Sequence, residues 1–263
     1  MKQLLAIEYA KLPKLTSIKI IFLAYMIIIP LMMYGMEAFF NLNPAFKQLL
    51  ISDPLFEFPQ IWKYTVYSAS FFNVLMGVTI VIVTCNEFQF KTFRQNVIEG
   101  MSKTQVISSK FLLVLLMSVM VTVYTFLVGF ILGGLYSGFG NAYEGIHQIF
   151  FYLLQTVGYF SFAFLFAIIV RKSALSIVLF IIYFPIETIV GIFLPKGLYQ
   201  FFPLKVLADL TPMPFFEHMI AMEEKRTNID YWFMPTEWKL VLSFGYVLLF
   251  FGLSYFILKK RDL

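Results

Sequence analysis

A single cysteine, Cys85, stands in 263 residues, so no intrachain disulfide can staple the chain and no thiolate cluster can hold a metal. Histidine is nearly as scarce. His147 and His218 are the only two, and they lack metal-ligand spacing. Charged residues make up 13% of the chain, where a soluble domain carries about 25%, which excludes an ordinary water-facing surface. A phosphate loop is missing too: GMSKT at 100–104 lacks the glycine-rich turn whose amides cradle phosphates. Glu223, Glu224 and Arg226 lie in a polar segment with no intramembrane histidine to complete a hydrolytic site. No catalytic or metal-binding residue is expected, and the chain reads as a non-enzyme.

What the chain has instead is apolar length. Hydrophobic residues make up 60% and aromatics 19%, and the mean hydropathy is +0.82. Runs free or nearly free of charge fall at 20–36, 64–86, 111–136, 148–170, 173–195 and 240–258, each near the roughly 20 residues that cross a bilayer core. The expected fold is an all-α membrane protein with six transmembrane helices. Its spans fall at about 18–38, 64–86, 108–136, 148–170, 173–195 and 239–258, in one membrane domain over 1–263. Pro30 sits in the first run and predicts a kink or tilt there.

Thirteen of the twenty Lys and Arg fall in alternate connections: Lys2 to Lys19, Lys91 to Lys110, Arg171 with Lys172, and Lys259 to Arg261. By the positive-inside rule these are cytoplasmic, with both termini, and the first span acts as its own insertion signal. The net charge of +5 is then a topological signal rather than a nucleic-acid footprint. Residues 1–17 mix Leu4, Leu5, Ile7 and Leu12 with Lys2, Glu8, Lys11 and Lys14, as an interfacial helix would, with Pro13 ending it. Between the fifth and sixth spans, prolines break an apolar stretch into pieces that predict one or two short external helices, either a gate or a passive aromatic lid. Gly129, Gly133, Gly134 and Gly138 allow close helix approach in the third span, on an internal face or at a subunit interface.

The segment NEFQFKTFRQNVIEGMSKTQVISSK, from Asn86 to Lys110, is charged and amphipathic between two apolar runs. Phe90, Phe93, Val97 and Met101 recur at helical spacing, with Lys91, Arg94, Gln95 and Glu99 on the other side. Gly100 supplies a stop, and Ser102 with Gln105 forms a capping-box pattern for the next helix. The segment is either a handle for a soluble partner or a basic loop whose aromatics rest on the bilayer. Glu187 is the one acidic residue well inside a run. It marks a pathway or polar helix contact, or else it is wetted near the outer interface.

The start MKQLLAIEYAKL, the segment NEFQFKTFRQNVIEGMSK after the second span and Lys110 leading into the third make the chain resemble the membrane subunits of type-2 ATP-binding-cassette exporters. The likeness extends to those of lantibiotic-immunity and antibiotic-resistance systems, and it covers all six spans. It implies a cytoplasmic coupling helix between spans two and three that docks on a separate ATPase. Glu87, Lys91, Thr92, Phe93, Arg94, Gln95, Asn96, Glu99, Gly100, Ser102 and Lys103 lie in that region. Lys91 and Thr92 stand where the family often has Gly-Thr, so the turn before the helix differs. The resemblance also implies a pathway along spans two and five, with Asn73, Thr79, Thr84, Glu187 and Thr188 as candidate lining.

The implied partners are the ATPase, which carries the Mg-ATP, a second permease copy or a related permease, and the lipid of the inner membrane. No cofactor is expected in the chain and no nucleic acid as a partner. A hydrophobic or amphipathic cargo such as a lipid or peptide antibiotic follows from the aromatic interior. Two other classes stay open: an ATP-independent transporter or channel using Glu187, and a membrane anchor that moves nothing.

Overall fold

A computed structural model of the chain describes residues 16–44, 54–98, 100–215 and 234–260. The expected N-terminal interfacial helix and residues 216–233 lie outside them. Among the described residues the regular structure is entirely helical: α1 (Thr16–Leu42), α2 (Gln60–Gln89), α3 (Thr92–Ile98), α4 (Lys103–Ser137), α5 (His147–Val170), α6 (Ser173–Phe193), α7 (Lys196–Tyr199), α8 (Pro203–Ala208) and α9 (Thr236–Lys260). Six of these, α1, α2, α4, α5, α6 and α9, are long and apolar enough to cross a membrane.

Several helices outrun their apolar stretches. α1 continues through Glu37 to Leu42, and α2 begins before Lys63. Caps end a helix, and falling hydropathy alone does not. The start of α4 shows this: Ser102 Oγ accepts from the Gln105 N–H at 3.2 Å and Gln105 Oε1 accepts from the Ser102 N–H at 2.9 Å, the reciprocal pair expected of a capping box. Its far end closes at Gly138, whose φ of 73° is open to glycine at little cost. At 35 residues α4 is about 50 Å long, more than the roughly 30 Å hydrocarbon core, so its ends project beyond it.

α2 and α5 form the centre. α5 packs against α2, α4, α6, α8 and α9, and its Tyr152, Phe160 and Phe164 are fully buried alongside Trp62, Met76 and Ile80 of α2. Close approach is set by small residues. A Cβ on Gly77 would lie 2.6 Å from Phe180 Cζ, and one on Gly158 would run into Leu207 of α8. The glycines of the third span resolve the same way: Gly129 faces Trp62 and Gly133 faces Phe58, so this part of the stripe is an internal packing face. By contrast α6 and α9 turn apolar surface outward, with Ile182, Ile186, Ile189, Phe244 and Leu248 exposed, as lipid-facing helices do.

One set of polar groups inside the bundle is linked side chain to side chain. Tyr152 Oη donates to Asn73 Oδ1 at 2.8 Å, so in its 2.6 Å contact with Tyr25 Oη it accepts. Asn73 Nδ2 donates to Thr156 Oγ1 at 3.0 Å, and Thr156 donates to the Tyr152 carbonyl. This chain ties α1, α2 and α5 together at membrane depth, where an unmade hydrogen bond costs most. Cys85 is buried beside Ser176 Oγ, at 3.5 Å, and the Ala167 carbonyl.

Candidate functional site

α2 stops at Gln89, the chain turns at Lys91 with a left-handed φ of 55°, and α3 runs for seven residues. Gly100, at φ 101°, reverses the chain into α4, the stop its sequence position predicts. This elbow is fastened from beneath. Glu87 Oε1 and Lys110 Nζ are 2.5 Å apart, with side chains 6% and 1% exposed. Phe93 is buried and stacks on Phe88, centroids 4.6 Å apart at 18°. Lys110 Nζ lies 5.7 Å from the Phe93 ring centroid, and the Arg171 guanidinium sits 4.8 Å from that of Phe88. Aromatic faces attract cations, so α2, α3, α4 and the α5–α6 connection meet in one cluster of alternating charge and ring. Thr92 Oγ1 adds a bond to the Glu87 carbonyl at 3.3 Å.

The exposed side of the elbow differs from the face its spacing predicts. Phe90 is 69% exposed and Ile98 76% exposed. Phe90 caps α2 instead of joining the inner stripe, because the turn at Lys91 breaks the helical phase between Phe90 and Phe93. Arg94 and Gln95 are exposed beside them, while Asn96 is half-buried and accepts through its carbonyl from the Met101 N–H at 3.0 Å. Glu99 lies outside the described residues, as does the side chain of Lys103.

Asn73, Thr79 and Thr84 are all fully buried within the bundle, and Asn73 belongs to the hydrogen-bonded chain described above. A different stripe of α2 is open. Tyr67, Ser70, Phe71 and Val74 line a groove of about 640 Å³ together with Ile181, Phe184 and Pro185 of α6, Tyr159 of α5, and Ala208, Asp209 and Thr211 to Met213. Its wall is mainly apolar, and Ser70, Asp209 and Thr211 bring polar groups to it. Thr188 is exposed and its hydroxyl donates back to the Phe184 carbonyl at 3.1 Å.

Glu187 is 3% exposed and its Oε1 accepts from the Lys205 N–H of α8 at 2.8 Å. A carboxylate at a helix N-terminus satisfies an orphan donor and opposes the positive end of the dipole. Glu187 therefore holds α8 against α6. α8 is fixed further by burial of Leu204, Val206 and Leu207, by its Lys205–Asp209 ion pair and, just before it, by Tyr246 Oη donating to the Phe201 carbonyl. α7 and α8 lie between spans five and six, where one or two short helices were expected, while 216–233 of that stretch lie outside the described residues.

Four residues carry this geometry without having been picked out for it by sequence: Lys110 as the partner of Glu87, Arg171 on Phe88, and Phe90 and Ile98 on the surface. Lys110 had one signal, a lone cation near the start of an apolar run. The turn at Lys91 hid Phe90 by shifting phase, and Arg171 left no local signal because only the fold brings it to Phe88.

No curated protein matches the chain. The family described as ABC-2 family transporter protein matches residues 4–187, well over half of the 263, and the matched stretch contains the elbow, the central helices α2 and α5 and ends at Glu187. With its six apolar helices, the chain belongs to the ABC-2 transporter family, as a multi-pass membrane permease subunit.

Proposed function

We propose that this permease is driven by a separate ATPase that docks on α3 from the cytoplasmic side, with both termini on that side of the cell's inner membrane and Mg-ATP held by the partner. The observation that carries this is the elbow's two-sidedness. Phe93 and the Glu87–Lys110 pair root α3 in the bundle, while Phe90, Ile98 and Arg94 stand exposed. Exposed apolar anchors ringed by polar groups are what a docking surface offers. Force applied to α3 passes directly to the ends of α2 and α4, as rigid-body coupling requires.

The α2–α6 groove supports a hydrophobic or amphipathic cargo, since a long apolar wall with polar groups on it suits a molecule with an apolar body and a polar head. Two copies, or this chain with a related permease, would bring two such walls together. Glu187 keeps one rival in view: its Oε2 has no hydrogen bond among the described residues, and an ion-coupled transporter would use such an oxygen.

Affinity purification from the native host tests the reading. A Walker-containing ATPase should co-purify, and Phe90→Ser with Arg94→Glu should release it while the permease stays folded. Retention of the ATPase by that variant would sink the docking site. Transport that persists with a hydrolysis-dead ATPase would favour the ion-coupled rival.

A further inference from the structure

Arg171 and Lys172 are the entire connection between α5, which ends at Val170, and α6, which starts at Ser173. So short a link holds both cations at the height of the helix ends, which in a bilayer is the headgroup layer. Beside them opens a cavity of about 660 Å³ whose lining also includes Lys91, Arg94 and Phe88. Lys91, Arg94, Arg171 and Lys172 all contribute to its lining, and the carboxylate there, Glu87, is ion-paired with Lys110. α6 also begins here without a side-chain cap, so the N–H groups of its first turn add to the positive potential.

The cavity is not only basic. Val170 and Ala174 give it an apolar side, and from there the exposed Leu175, Val178, Leu179 and Ile182 of α6 run onward into the hydrocarbon layer. We infer that this cavity binds the headgroup of an anionic phospholipid from the surrounding leaflet, its acyl chains lying along α6. An acidic side chain from a soluble partner would match the cations but leave the apolar ladder bare. Free phosphate would do the same. The inference needs only a membrane-spanning chain; because Arg94 also belongs to the docking surface proposed above, the test is made on the permease without its ATPase.

The test uses the purified full chain in detergent, with phosphatidylglycerol or phosphatidylcholine added at equal concentration and bound lipid counted by native mass spectrometry. Phosphatidylglycerol should be retained in preference to phosphatidylcholine. Arg171→Gln with Lys172→Gln should weaken its retention on the order of 30-fold, from the loss of two headgroup charges. Lys91→Gln with Arg94→Gln, at the elbow, should give a comparable loss and guards against a folding defect in the first variant. Lys259→Gln with Lys260→Gln removes the same charge at the end of α9 and should change retention by less than about twofold. Millimolar inorganic phosphate should not displace the lipid. Equal retention of the two lipids, equal losses in all three double variants, or displacement by phosphate would each overturn the inference. So would unchanged lipid retention in both cavity variants, which would leave the cations to a protein partner.

Discussion

Glu87 and Glu187 are two carboxylates buried to almost the same degree, 5% and 3% exposed, at opposite ends of the bundle, and they are held by different kinds of partner. Glu87 meets a full ammonium, Lys110, sent from another long helix. Glu187 meets a backbone N–H at the start of a six-residue helix. An ion pair buried in low dielectric cannot lose one member without stranding the other, whereas a capped helix start loses one bond and keeps its apolar contacts. The elbow end is therefore clamped and the α8 end is pinned. Of these two ends, the elbow should be the stiffer.

The largest effect should come from breaking the clamp. Lys110→Met should cost about 3–5 kcal/mol by removing the ammonium that faces the buried Glu87 carboxylate, seen as a large drop in the thermal unfolding midpoint in detergent. Adding Glu87→Gln should restore most of it, and additive losses in that double-mutant cycle would show that the two charges are not coupled. Next, Glu187→Ala should cost about 1–2 kcal/mol. Hydrogen exchange should quicken at Lys205 and its neighbours in α8 while amides near Glu87 keep their protection. Equal quickening at both ends would erase the distinction between clamp and pin.

Gly158→Ala sharpens the comparison from the packing side, because the new methyl displaces Leu207 and should cost on the order of 1 kcal/mol, again with faster exchange confined to α8. The smallest effect belongs to the neutral middle. Tyr25→Phe removes one donor, but Tyr152 keeps its bond to Asn73, so the loss should be about 0.6 kcal/mol, the usual worth of a polar contact between membrane helices. A loss as large as that of Lys110→Met would mean the central chain, not the elbow, dominates.

Much of this was legible in the sequence. Six apolar runs gave six helices, and the pattern from Ser102 to Gln105 gave the start of α4, because local hydropathy and capping are written in adjacent residues. Glu187 announced itself as an acid within a run, but its partner is a backbone group, and backbone donors leave no mark in a sequence. Glu87 entered only as part of the coupling region that the resemblance implied, since only the fold brings Lys110 to it. The face of α2 was equally hidden. That helix is apolar on nearly all sides, so nothing local told the buried Asn73, Thr79 and Thr84 from the open stripe of Tyr67, Ser70, Phe71 and Val74.

The two-residue link between α5 and α6 has a mechanical meaning. Joined so tightly at one end, the two helices work like the arms of tweezers, which cannot part at the rivet and can only spread at the tips. α6 has 21 residues and spans about 31 Å, so a turn of roughly 5° about the rivet carries its tip about 3 Å, dragging Glu187 and whatever α8 covers along the same arc.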